Sequence, residues 1–104
     1  MDRILTIDEI KACVEQVAKQ YDIKRVSLFG SYASGNVTKD SDIDLLVEFG
    51  PSPITLYDMA GIKLKIEELA GKSVDLVETP LVPGALVIIE KEVSLYVDKR
   101  RKHA

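Results

Sequence analysis

The chain has 104 residues, 46% of them hydrophobic, which describes one small domain over residues 1–104 with a real core and excludes a disordered chain. The formal net charge is −3, but residues 99–104, "KRRKHA", carry four bases and no acid, leaving ten bases against seventeen acids over residues 1–98; a body that acidic is a poor match for a phosphate backbone, so no direct, stable nucleic-acid binding is expected. One cysteine, Cys13, and one histidine, His103, exclude an internal disulfide and the usual four-ligand zinc site.

The opening "MDRILTIDEI" is too acidic, and its apolar run too short, for a secretory signal. Thr6 and Glu9 are spaced as a capping box, which satisfies two free backbone N–H groups at a helix start. Behind them Ile10, Cys13, Val14, Val17, Ala18 and Tyr21 recur at three and four, predicting an amphipathic helix over residues 7–21. Cys13 falls on its buried stripe and reads as a small core residue rather than a reactive thiol. "RVSLF" predicts a first strand and "DIDLLVEF" a second, followed by the punctuation of Gly50, Pro51, Ser52 and Pro53.

A second helix is expected over about residues 54–70, with Gly71 in the C′ position. Its apolar stripe is Met59, Ile62, Ile66, Leu69 and Ala70. Leu56, Ala60 and Leu64 form a second row off that stripe, which either widens the core contact or faces a partner chain. "SVDLVE" predicts a third strand. "PGALVIIEKEV" predicts a third helix with Pro83 in its first turn, although "ALVII" also suits a strand, and "SLYV" suits a short last strand. The basic tail over 99–104 is expected to be a frayed, solvated end. No apolar run approaches the ~20 residues of a membrane span, so the expected location is the cytoplasm, without membrane contact. The element order implies an α/β (α+β) domain in which a small mixed sheet packs against helices.

Two stretches carry chemistry. In "LFGSYASGNV" a strand is followed by Gly30-x4-Gly35, close to a P-loop, but the required Lys and Ser/Thr are here Asn36 and Val37. What survives is a turn after a strand that opens a short helix, presenting backbone N–H groups and the Ser31 hydroxyl to an anion; alone, Gly-Ser is also an ordinary turn. In "DSDIDLLVE", Asp40, Asp42 and Asp44 mimic the start of a calcium loop, but its required glycine and glutamate are here Leu45 and Pro51.

A period-two reading remains. Ile43, Leu45 and Val47 point into the core, and Asp42 and Asp44 share the other face, about 6–7 Å apart along the strand. Two such carboxylates repel unless a cation sits between them, and magnesium takes hard oxygen ligands while bridging to phosphates. Two ions about 3.5–4 Å apart can clamp the attacking and leaving oxygens of a phosphoryl displacement. The plainer reading is that Asp42 caps a turn and Asp44 is exposed on an edge strand. A third acid, Asp75 in "SVDLVE", tips the balance. If its strand neighbours "DIDLL", three carboxylates converge beside the Gly-Ser turn. Glu48 shares the site face by parity but lies beyond Leu46 and reads as solvent-facing. Tyr32, after the Gly-Ser, either stacks or packs.

Gly30-Ser31, ten residues, then Asp42-x-Asp44 resembles the signature of the DNA polymerase β-like nucleotidyltransferase superfamily. The context "LFGSYASGNVTKDSDIDLLVEF" is similar to its smallest branch, the minimal nucleotidyltransferase (MNT) domains, and the likeness runs from about residue 7 to 97. The resemblance implies that Gly30 and Ser31 hold the β- and γ-phosphates of ATP. It implies that Asp42, Asp44 and Asp75 are the catalytic, metal-binding acids for two Mg²⁺ ions, with Asp75 also helping to deprotonate the acceptor hydroxyl. Family members often carry arginine where this chain has Ser34; Lys39 and Lys63 are candidates to supply that cation, though nothing in the sequence places either.

MNT proteins of this branch are typically antitoxins of HEPN-domain ribonuclease toxins. The resemblance therefore implies a type VII-like toxin–antitoxin pair in which AMP moves from ATP to a tyrosine hydroxyl of the toxin, within a hetero-oligomer. Larger relatives add a domain to hold an acceptor, whereas 104 residues cover only a catalytic core, so the acceptor surface is expected from another protein. Two alternatives stand beside this: a non-catalytic antitoxin that neutralises by binding, and a catalytic subunit for a small molecule completed by a helical partner.

Overall fold

The structure, a computed structural model, describes residues 3–52, 54–79 and 91–98. The first helix, α1 (Ile7–Ala18), starts where the capping box requires. The Thr6 hydroxyl accepts the Glu9 N–H at 3.1 Å, and the Glu9 carboxylate accepts the Thr6 N–H at 2.9 Å. Arg3 reinforces the box by an ion pair to Glu9, and these two contacts hold the Glu9 carboxyl down at about 2. The helix stops at Ala18 rather than 21. The Gln20 and Tyr21 N–H groups bond back only three residues, to Val17 and Ala18 carbonyls, which tightens the chain out of the α-helix.

Strand β1 (Ile23–Phe29) follows, then a single helical turn, α2 (Ser31–Ser34), and strand β2 (Ile43–Phe49). Helix α3 (Leu56–Ala70) opens on a second capping box, Thr55 with Asp58, and closes on Gly71 in the left-handed region at φ 69°. Strands β3 (Val74–Thr79) and β4 (Val93–Val97) complete the described elements. The expected third helix falls mostly outside the described residues, and Val93, at its expected end, belongs to β4 instead.

The four strands form one sheet in the order β3-β2-β1-β4. β2 and β3 run parallel, while β1 is antiparallel to both β2 and β4, so the sheet is mixed as the element order implied. α1 packs against α3 and β4, and α3 packs on the edge strand β3. One face of the sheet supplies Val26, Leu28, Ile43, Leu45, Val47, Val74 and Leu95 to the core, where they meet Ile10, Val14 and Val17 of α1 and Ile62 and Ile66 of α3. Each fully buried aliphatic side chain of this kind contributes about 1.5–3 kcal/mol.

The structure adjusts or resolves four expectations about burial. Leu69 is 48% exposed, because α3 lies over β3 and, among the described residues, no further strand extends the sheet under its last turn. Leu56, Ala60 and Leu64 stay outside the core, with Leu56 and Leu64 exposed at 89% and 62%. Tyr32 packs: it is buried, and its hydroxyl accepts the Leu5 N–H at 3.4 Å. Cys13 is half-buried, and burial pushes its thiol up, away from reactivity.

Candidate active site

The non-core face of the sheet carries the site. Asp44 is in β2, an interior strand, so the edge-protection reading of its charge is removed. Its direct neighbours on that face are Phe29 across β1 and Asp75 across β3. The register pairs Asp44 with Asp75 itself, so the two carboxylates leave adjacent parallel strands side by side. Asp42 lies one residue before β2 and is exposed, as is Asp75, whereas Asp44 is half-buried.

That setting costs Asp44 its usual acidity. Burial raises its pKa first, and the charges of Asp75 and then Asp42 raise it further. Asp75 stands directly opposite Asp44 across the parallel ladder, whereas Asp42 lies outside the ladder and acts more weakly. Among the described residues, no group of three or more His, Cys, Asp and Glu side chains is drawn together to metal-holding distance.

Gly30 meets this pair from the other side. Its backbone sits at φ 73°, ψ −152°, a region essentially closed to residues with a side chain. A Cβ placed there would lie 2.0 Å from Asp44 Oδ2. The absent side chain is therefore what allows the Asp44 carboxylate to rest against the turn between β1 and α2. Ser31 follows directly and is half-buried, and its hydroxyl makes no hydrogen bond among the described residues. α2 is started by Gly30 without a side-chain cap, and the Gly30 carbonyl takes the Ala33 and Ser34 N–H groups. The structure thus gathers Gly30, Ser31, Asp44 and Asp75, with Asp42 at the margin.

A cleft of about 440 Å³ opens beside Asp42, lined also by Lys39, Ser41, Glu67, Lys72 and Ser73. Of the two lysines considered in place of the family arginine, Lys39 lines this cleft and Lys63 does not. Ser34 is exposed, and its hydroxyl bonds back to the Ser31 carbonyl at 3.3 Å. Glu48, expected to face solvent, is half-buried and held between Lys24 and Arg25, each at 3.4 Å, which separates it from the acid pair. Lys72 and Glu67 had no sequence signal. They sit around the helix stop at Gly71, and only the fold brings them against the strand starts.

A small mixed sheet with helices on one face, and acids on the other beside a Gly-Ser turn, defines the nucleotidyltransferase class. The model of the nucleotidyltransferase domain family matches residues 7–103, and the chain belongs to that family. It is accordingly an enzyme of nucleotidyl transfer. The protein adenylyltransferase MntA of Thermococcus cleftensis is 30% identical over 95 residues, spanning 86% of this chain and 95% of that protein. A crystal structure of a toxin–antitoxin with AMP-PNP shares the fold at a TM-score of 0.70 and 19% identity, over 86% of this chain and 75% of that one. A structure of the tri-AMPylated HEPN toxin of Shewanella oneidensis in complex with its MNT antitoxin does so at a TM-score of 0.65 and 16% identity, over 91% and 76%. The resemblance read from Gly30-Ser31 and Asp42-x-Asp44 holds. No helix among the described residues is long and apolar enough to cross a membrane.

Proposed function

We infer that the chain is the antitoxin of a toxin–antitoxin pair and acts as a magnesium-dependent protein adenylyltransferase. It moves AMP from ATP to a tyrosine hydroxyl of a HEPN ribonuclease partner. The observation that carries this reading is the in-register pair Asp44–Asp75, with the Asp44 carboxylate set against Gly30. A carboxylate such as Asp44, whose ionisation is resisted by burial and by the neighbouring charges of Asp75 and Asp42, is a liability to a fold, and a divalent cation converts it into a site. The relatives named above, an adenylyltransferase and two toxin–antitoxin complexes, support the partner class.

The donor set of hard carboxylate oxygens fits magnesium, which Asp44 and Asp75 would hold with Asp42; two ions, once bound, neutralise charge on the triphosphate and on the leaving pyrophosphate. Gly30 and Ser31 bind the phosphate tail, through close backbone approach at a residue with no side chain and through an uncommitted hydroxyl. The tyrosine oxygen attacks the α-phosphorus of ATP, forming one O–P bond as the bond to pyrophosphate breaks. Asp75, exposed at the sheet edge, accepts the hydroxyl proton and passes it to water. Alignment and charge neutralisation supply most of the rate. A bulky anionic AMP on the toxin then repels RNA from its active site.

Incubation of the chain with its HEPN partner, ATP and Mg²⁺, followed by intact mass of the partner, tests this directly. One or more AMP additions are expected, lost in Asp42→Ala and Asp44→Ala variants that still co-elute with the partner. No addition by the wild-type chain sinks the enzyme reading. A second reading, neutralisation by occlusion, is favoured by the exposed Leu56, Tyr57 and Leu64 along α3. It requires the Asp44→Ala variant to neutralise the toxin at wild-type strength and a Leu56→Ser/Leu64→Ser variant to fail.

A further inference from the structure

The two strands that carry the acids begin at the same place, and both beginnings are tied to the turn that follows α3. The Ile43 N–H, at the start of β2, donates to the Ser73 carbonyl at 2.9 Å. The Val74 N–H, at the start of β3, donates to the Glu67 carboxylate at 2.8 Å. The Gly71 N–H closes the helix onto the Glu67 carbonyl at 2.8 Å, so the C-terminal turn of α3 is a fixed post. Across the cleft beside Asp42, the loop leading into β2 is knotted on itself. The Thr38 N–H donates to the Ser41 hydroxyl at 2.9 Å, the Ser41 N–H to the Thr38 carbonyl at 3.1 Å, and the Asp40 N–H to the Thr38 hydroxyl at 3.2 Å. One side chain joins the two bodies: the Lys72 ammonium donates to the Lys39 carbonyl.

We propose that Lys72 is a positioning residue that latches the loop over residues 38–41 to the end of α3 and so sets where Asp42 stands relative to Asp44 and Asp75. It acts through a charge-assisted bond to backbone, stronger than a neutral one, and adds a side-chain tie on the loop side of Asp42 to the backbone tie that the Ile43 N–H makes to the Ser73 carbonyl. Asp42 precedes its strand and lacks a ladder partner of its own, so its position depends on this loop in a way that Asp44 and Asp75 do not. The arrangement also places a cation at the cleft that Asp42 and Lys39 line. The proposal rests on the acids being a divalent-ion site.

The test uses the full chain with Mn²⁺ as the probe ion and water-proton relaxation as the readout, alongside melting temperatures. Lys72→Met is expected to weaken Mn²⁺ binding about tenfold, as loss of an outer partner of a metal ligand does. Lys72→Arg is expected to restore wild-type affinity, since it keeps charge and donor. Lys39→Ala keeps the carbonyl that Lys72 uses and is expected to bind as wild type. Mn²⁺ affinity unchanged in Lys72→Met, lost again in Lys72→Arg, or lost equally in Lys39→Ala overturns the latch. Should Lys72→Met fail to fold, Lys72→Gln carries the same expectation. Wild-type protein that binds Mn²⁺ no better than Asp44→Asn overturns the acid site and the latch together, whereas loss in Asp44→Asn with normal affinity in Lys72→Met overturns the latch alone.

Discussion

The two faces of β2 differ in every residue and in what they do. Ile43, Leu45 and Val47 are completely buried against the helices. Asp44, Leu46 and Glu48 look the other way, and only Leu46 among them is fully covered. An interior strand next to a parallel neighbour is usually apolar on both faces. Here the second face is given to an acid pair, and the first must supply the adhesion for both. The comparison teaches that stability and chemistry are separated by one residue along the backbone, so substitutions on the core face should move mainly stability and those on the site face mainly chemistry.

The largest expected effect is on the apolar face. Leu45→Ala removes a side chain with no exposed surface and should cost about 2–5 kcal/mol, read by urea unfolding, while folded protein at low temperature retains nucleotidyl transfer. Next is Gly30→Ala, where a Cβ collides with the Asp44 carboxylate and the backbone is held at φ 73°. It should cost about 2 kcal/mol and abolish transfer, because Asp44 must move. Equal activity in Gly30→Ala would mean that the contact between turn and acid is incidental.

The smallest effect has the opposite sign. Asp44→Asn should stabilise the metal-free protein at neutral pH by about 1–2 °C in Tm while eliminating transfer. Burial and the charges of Asp75 and Asp42 raise the Asp44 pKa in the fold. The folded state therefore holds its proton more tightly than the unfolded chain, and stability falls as pH rises through the folded value. The penalty is fully present above that value and vanishes below the ordinary carboxylate range, so the advantage of Asp44→Asn should disappear in acid. Adding Mg²⁺ should reverse the ranking, stabilising wild type and not the variant. Melting curves over pH, with and without Mg²⁺, check each sign.

Much of the local structure was legible. Thr6 and Glu9 marked a helix start, Gly71 a helix stop, and the alternation in "DIDLLVEF" the buried and open faces of β2, because caps and side-chain periods are set by residues a few positions apart. The ends of elements were less so. Tyr21 kept the helical apolar pattern while the Gln20 and Tyr21 N–H groups bonded three residues back, and Leu69 kept the stripe while running past the described strands that would cover it. The Asp58 box on α3 was missed because a short acid served where a longer one is usual.

The residue types of the site were evident in the linear order, since Gly30, Ser31, Asp42 and Asp44 lie in one short stretch from the turn after β1 to the start of β2. What the chain alone determined was which side chains could be acids on an open face and which had to be core. Only the tertiary structure decided that Asp44 stands opposite Asp75, that its carboxylate fills the space Gly30 leaves, and that Lys72 reaches the loop ahead of Asp42. Those pairings join residues separated by a helix or a long turn, and strand register across such distances is set by the packing of the whole sheet rather than by any local preference.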